Sequence, residues 1–450
     1  MDMRTFSSEP SPPQPWGSVP PVPGPGTEPP AGPGEAAPAT VNGGPTNASQ
    51  MNPGQVTFTG LRGDFFSLVV AGGLLQLVTV GFYRFWLVTD IRRHLWRHTR
   101  IGADALEYTG TARELLIGFL VALAILAPVY VLYFLAGLVA EEYATFASVP
   151  LVLVLYVFGH YATYRARRYR MTRSSLRGLR FWMTGSAFAY AGRAAWWDFL
   201  TVITLGLAYP WRAAALERYR MRNTRYGTLA GDFVGTGWRL FVRGAWMWVL
   251  AMVVLAGMVA AAVGMASAGA LAALEVDKDD VETIVGLASL AVMLLVFLLL
   301  PLWPIFRATE LRWRIEGTRF GPVSLHSTLR RRTVLGCYAA ALGVSMLVGS
   351  AGSILFGTAT MVMKNPFEHL ETAGLTGQLG AFAVIAVIYL LMLFGFGVVK
   401  RVFVDRGVWA AVAASTTVVG VQALDHVQAA GEAAGSLGEG LADALDVGAI

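Results

Sequence analysis

Cysteine is almost missing from this chain: Cys337 is the one example in 450 residues. A single thiol excludes an intramolecular disulfide and any multi-cysteine metal site. Its place in an apolar run marks it as a small packing residue. Charge is also scarce. Charged residues make up 14% and hydrophobic ones 55%, whereas a soluble globular domain carries about 25% charged residues. Mean hydropathy is +0.53, which excludes an ordinary soluble domain. Catalytic signatures are absent as well. No G-x-x-x-x-G-K-[ST] run is present for a phosphate loop, and neither G-x-S-x-G nor H-E-x-x-H supplies a nucleophile–base or zinc pair. The expectation is therefore a protein that is not an enzyme, with no cofactor and no metal. The long apolar segments contain no ionisable side chain except His160 near one end, which argues against a proton- or ion-coupled carrier.

Six apolar segments are long enough to cross a hydrocarbon core as helices, at 115–140, 146–164, 245–274, 283–306, 334–363 and 379–399. Two others are weaker. Residues 196–207 are only about a dozen apolar residues, a length typical of re-entrant or interfacial pieces. Residues 65–88 are long enough but carry Gly72, Gly73, Gln76, Thr79 and Gly81. Arginine-rich links alternate with acidic or neutral ones. The net charge of +6 thus reflects the positive-inside bias of cytoplasmic loops and not nucleic-acid binding. Placing every basic link inside gives three transmembrane hairpins and two membrane-dipping segments hinged at Gly81 and Gly206. Both termini are then cytoplasmic, and eight true spans is the alternative. The expected fold class is an all-α multi-pass membrane protein with short β-like aromatic-x-Gly joints. The parts are a disordered Pro/Gly-rich head at 1–54, membrane repeats at 55–185 and 186–333, a transmembrane hairpin at 334–406 and a cytoplasmic tail at 407–450.

The chain repeats itself. A constant offset of 125 carries residues 77–110 without a gap onto 202–235, taking Gly81 to Gly206, Arg93 to Arg218, Thr99 to Thr224 and Gly110 to Gly235. Such register indicates internal duplication. An offset of 50 superposes Arg168-Tyr169-Arg170-Met171 on Arg218-Tyr219-Arg220-Met221, and one of 94 superposes Arg218 on Arg312 and Gly227 on Gly321. At least four units follow, each an apolar helix end, an Arg/aromatic helix, a Thr-Arg-x-Gly turn and an aromatic-x-Gly strand.

The FTG…GDFF opening, the VTVGFYRFW and ITLGLAYPW segments, the HTR-x-G and NTR-x-G turns and the closing GEGLADALDVGAI together resemble the YjgN-like bacterial inner-membrane proteins, a domain of unknown function. The resemblance covers residues 55–450 and implies a multi-pass protein of the bacterial cytoplasmic membrane. It brings no catalytic residues or substrate. The third matched copy departs from the pattern, with Ile305 in place of tryptophan and Gly317 in place of Asn or His.

Three sets of residues are candidates for function. Gly81 and Gly206 are hinges of the re-entrant segments. Arg93, Arg168, Arg218, Arg220, Arg222 and Arg312 lie among aromatic residues and suit anionic lipid headgroups. Ser345, Gly349, Ser353 and Gly357 form a small-residue stripe for helix packing or a homo-oligomer interface. His94 and His98 stand at i and i+4, but the aligned Tyr219 and Asn223 keep neither, so a solvated face is the simpler reading. The partners expected are membrane lipids and a second copy of the chain. The expected function is a permease- or channel-like protein for a small or lipidic substrate. The alternative is a non-transporting scaffold or lipid-organising protein that binds anionic headgroups.

Overall fold

A computed structural model describes residues 54–139, 144–273, 278–362 and 375–431. The Pro/Gly-rich head, most of the acidic links and the GEGLADALDVGAI end lie outside the described residues. The chain opens with β1 (Val56–Phe58) and α1 (Arg62–Val78), then α2 (Arg84–Arg97), β2 (Thr99–Ile101), β3 (Asp104–Tyr108) and α3 (Ala112–Val139). It continues with α4 (Ala144–Thr172), β4 (Ser174–Leu176), β5 (Leu179–Met183) and α5 (Ala187–Ile203). Next come α6 (Tyr209–Arg222), β6 (Thr224–Tyr226), β7 (Leu229–Phe233), α7 (Gly237–Ala273) and α8 (Lys278–Leu299). The last part holds α9 (Leu302–Gly317), β8 (Thr318–Phe320), β9 (Val323–Ser327), α10 (Arg331–Val362), α11 (Leu375–Val399), α12 (Arg406–Ala414) and β10 (Thr416–Val419).

The ten strands pair antiparallel in chain order, β1 to β10. The first and last meet through a Gln55–Thr417 bridge and a Val418 N–H to Gly54 carbonyl bond of 2.6 Å. The result is a nearly closed barrel-like sheet, so the chain is not all-α, and the short β-like joints are the walls of this barrel. Helical periodicity dominates the sequence because each strand is only three to five residues long, too short to register an alternation of its own.

Each unit is helix, strand, strand, helix, and there are five of them. The fifth is split: α12 and β10 come from one end of the chain, β1 and α1 from the other. In every unit a hydroxyl ends the first helix by donating to the carbonyl four residues back, from Thr99, Ser174, Thr224, Thr318 and Thr416 at 2.7–2.9 Å. Each hairpin turns at a glycine of positive φ, namely Gly102, Gly178, Gly227 and Gly321, and Gly420 holds the same place in the split unit. One residue past its second strand, each unit hooks onto the next. The amides of Thr59, Thr109, Thr184, Val234 and Thr328 donate to the carbonyls of His98, Arg173, Asn223, Gly317 and Ser415 at 2.8–2.9 Å.

Strand alternation fills the barrel. Val56, Leu176, Tyr226, Val323 and Val418 are buried in one cluster with Ile101, Phe181 and Phe320 packed against it, while Arg100, Glu107, Arg180, Arg225 and Arg319 face outward. A 3-10 turn, Val421–His426, inserts Val421 and Leu424 into the same cluster. The barrel interior is a packed core and not a pore.

Five helical hairpins join the strands. Two are short, α1–α2 and α5–α6, with arms of 17 and 14 residues, about 25 Å in the longer arm. Three are long: α3–α4, α7 with α8–α9, and α10–α11. Among the described residues, five stretches are long and apolar enough to cross a membrane: Ala112–Leu135, Gly237–Ser267, Val285–Gly317, Arg331–Met361 and Phe382–Ala414. The chain is a membrane protein. The 146–164 segment lies in α4, alongside α3.

Behind the barrel wall, a buried ion network ties three consecutive units. Glu217 on α6 accepts from Arg167 of α4 at 3.0 Å and forms an ion pair with Arg220 at 3.1 Å. Glu310 on α9 accepts from Arg314 at 2.7 Å and from the Tyr209 phenol at 2.9 Å. Burial alone would raise the Glu217 pKa, but Arg167, Arg220 and Arg314 overcome it and hold the carboxyl at about 2. Because that value lies below the ordinary 4.5, the network's stabilisation is complete above about 4.5 and is lost as pH falls towards 2.

Two predictions follow from this architecture. Deleting the chain through Phe58 should speed hydrogen exchange at the Gly102 and Val418 amides, which bond to Gln55 and Gly54, while Tyr226 stays protected; unchanged exchange would refute closure by β1. Replacing Glu217 by Gln leaves Arg167 and Arg220 without their buried carboxylate and should cost about 3–5 kcal/mol in unfolding experiments at neutral pH. It should also flatten the acid-side loss between pH 4.5 and 2, and a variant with wild-type acid sensitivity would contradict the assignment.

Candidate functional site

The two short hairpins carry the same turn. In each, a threonine hydroxyl, Thr79 or Thr204, donates to the carbonyl four residues back at 2.8 or 2.7 Å. The same oxygen accepts the amide of Tyr83 or Ala208 at 2.9 or 3.0 Å. Gly81 and Gly206, at φ +91 and +87, donate to the Gln76 and Thr201 carbonyls, both at 2.7 Å. Val80 and Leu205, just before them, also have positive φ, 51 and 48, a costly conformation for a β-branched valine. Val78, Val80 and Phe82 at one tip, and Val202, Ile203 and Leu205 at the other, are exposed. Apolar tips without protein cover suit the hydrocarbon of a bilayer.

Each tip borders its own cavity. The first, about 690 Å³, lies between α1–α2 and the end of α11. Leu77, Val80, Leu390 and Phe394 line it on one side, and Arg92, Lys400, Arg401 and the Asp405 carboxylate line its polar end. Lys400–Asp405 is a π-helical segment, an irregularity frequent at functional sites, and Lys400 pairs with Asp405 at 3.0 Å. Arg92 is buried and donates to the Tyr108 phenol at 3.3 Å. The Gln76 side-chain oxygen, also at this cavity, is buried without a hydrogen-bond partner among the described residues. The second cavity, about 380 Å³, lies against Gly206, Trp248, Trp303 and Phe306 and is almost wholly apolar. Trp248 Nε1 donates to the Leu205 carbonyl at 3.0 Å. Gly81 and Gly206 therefore sit at two separate cavities, and do not share one.

The six arginines divide by environment. Arg93 and Arg218, one repeat apart, donate to the carbonyls of the joint glycines Gly110 and Gly235 at 3.0 and 3.4 Å. Arg406 does the same for Gly60 at 2.6 Å in the split unit. Arg220 turns inward to Glu217 and to the Tyr190 phenol. Arg168 stands on the barrel-proximal end of α4, and exposed Arg222 pairs with Asp232 at 3.4 Å. Arg312 bonds Glu316 at 2.7 Å and borders a third cavity.

Other sequence candidates resolve as follows. The His94 and His98 rings lie 4.3 Å apart, and His98 Nδ1 contacts the His94 carbonyl at 2.8 Å. Burial, with His98 next, pushes the His94 pKa below its ordinary value. On α10, Ser345 and Gly349 are half-buried while Ser353 and Gly357 are exposed. The close approach to α11 is made by two other glycines. A Cβ on Gly352 would meet Met392 at 2.5 Å, and one on Gly395 would meet Val348 at 2.8 Å. Periodicity alone gave no sign of an Asp198 cluster, because its members lie on three helices. Asp198 of α5 accepts from His160 at 2.9 Å and from Tyr156 at 2.5 Å, both on α4, and pairs with Arg212 of α6. This cluster clamps the second short hairpin to the first long one.

No curated protein and no solved structure matches the chain. A family described as bacterial protein of unknown function (DUF898) matches residues 53–444, nearly all of the barrel and its hairpins. That is the YjgN-like family indicated by the turn and joint motifs, and the chain belongs to it.

Proposed function

We propose that this protein is a lipid-binding, membrane-organising protein of the bacterial inner membrane, with a binding rather than a catalytic role. Its barrel stands at the cytoplasmic face, six helices cross the bilayer and the two short hairpins dip in and return. The alternation of basic links with acidic or neutral ones along the sequence supports that orientation, with both termini inside. The observation that carries the reading is the first cavity. Its apolar side, Leu77, Val80, Leu390 and Phe394, suits an acyl chain, and its basic end, Arg92, Lys400 and Arg401, suits an anionic headgroup. The Gln76 oxygen is an acceptor for a headgroup hydroxyl. The side-chain-filled barrel favours this over a permease- or channel-like protein, because a conducting route needs a polar or wet lining.

The test uses the full chain in nanodiscs of phosphatidylcholine with phosphatidylglycerol, followed by native mass spectrometry. Wild type should retain phosphatidylglycerol, and K400Q/R401Q should lower that retention about tenfold with normal membrane insertion. In proteoliposomes neither version should pass solutes. Equal retention by the variant, or solute flux by the wild type, would contradict the proposal.

A further inference from the structure

The third cavity, about 610 Å³, is bordered by five arginines: Arg243 of α7, Arg312 of α9, and Arg330, Arg331 and Arg332 where β9 enters α10. Among the described residues, one carboxylate answers them. Glu316 is shared by Arg243 at 2.9 Å and Arg312 at 2.7 Å. Arg331 donates to the Arg243 carbonyl at 3.3 Å, which holds the two chain segments together without neutralising either charge. Glu310, on the same helix, is committed to Arg307, Arg314 and Tyr209. Like charges gathered in this way repel, and three of them stand at the N-terminal end of a 32-residue helix, the end where the helix dipole disfavours cations.

The repeat supplies an independent reason to read this as a site. Arg93 and Arg218 hold the joint-glycine carbonyls of their units. The offset that carries Arg218 to Arg312 carries Gly235 to Leu329. In the fourth unit the joint is therefore Leu329, the arginine makes no such bond, and its guanidinium instead borders the cavity. A position that holds the joint in two units bonds Glu316 instead here, beside four further arginines.

We propose that this cavity binds an anion carrying at least two negative charges on phosphate groups. Arginine forks suit phosphate oxygens, and one singly charged group would leave most of the excess unbalanced. The cavity shares no residue with the one between α1 and α11, so the proposal does not rest on the lipid reading of that groove. The chemistry has two sources: a soluble oligophosphate, or a lipid headgroup bearing two phosphates.

The test is calorimetric titration of the full chain in phosphatidylcholine nanodiscs with pyrophosphate, beside native mass spectrometry after reconstitution with cardiolipin or phosphatidylglycerol. Pyrophosphate binding identifies the soluble source, and retention of cardiolipin over phosphatidylglycerol identifies the headgroup. In either case R330Q/R332Q should weaken binding at least about tenfold and R330K/R332K should restore part of it, with the thermal midpoint unchanged. K400Q/R401Q should leave it intact. No binding of either probe, binding indifferent to R330Q/R332Q, or equal loss in K400Q/R401Q would overturn the proposal.

Discussion

One backbone hydrogen bond, made five times, carries this structure. The residue that follows the second strand of each unit, Thr59, Thr109, Thr184, Val234 or Thr328, donates its amide to the end of the next unit's helix. Each bond locks one hairpin against its neighbour, and the ring closes where the two ends of the chain meet, through the Gln55–Thr417 bridge and the Val418-to-Gly54 bond. Once the sheet is nearly closed and filled, every helical hairpin begins and ends at the same barrel. Arm length then decides the rest: the two hairpins of 17 and 14 residues turn back at Gly81 and Gly206, whereas the long ones have the reach of a bilayer.

That constraint also sorts the arginines. A basic helix beside a barrel has one side that packs and one that faces outward, and the same residue type does different work on each. Arg93, Arg218 and Arg406 hold joint carbonyls, and Arg167 and Arg220 neutralise a buried glutamate. Buried ion pairs of this kind fix the arrangement of helices more surely than they add stability. Other charges border the cavities, among them Lys400, Arg401 and Arg312.

Much of this was legible in the residues. The offset that aligns Gly81 with Gly206 and Thr99 with Thr224 identified the repeating unit, and the apolar runs located the long helices. The barrel was not legible, because β2, β4 and β6 are three residues each and pair with strands of the neighbouring unit. The fifth unit escaped notice because Phe58 and Thr99 are near in sequence, whereas β1's unit mate, β10, begins at Thr416. The inward turn of Arg220 and the clamp around Asp198 depend on which helix stands opposite, and a linear pattern does not hold that information. The arginine set read as one class of headgroup ligands divided for the same reason: Arg218 and Arg312 are equivalent in register, and only the Gly235-to-Leu329 change separates their roles.

A cryo-EM map of the full chain in a phosphatidylglycerol nanodisc is the most direct test. The map should show a barrel interior filled by Tyr226, Phe181, Phe320 and the inserted Val421–His426 turn, and an elongated density beside Leu390 and Phe394 whose head meets Lys400 and Arg401. A continuous water-filled path through the barrel, with no density in that groove, would contradict the proposed lipid-binding role.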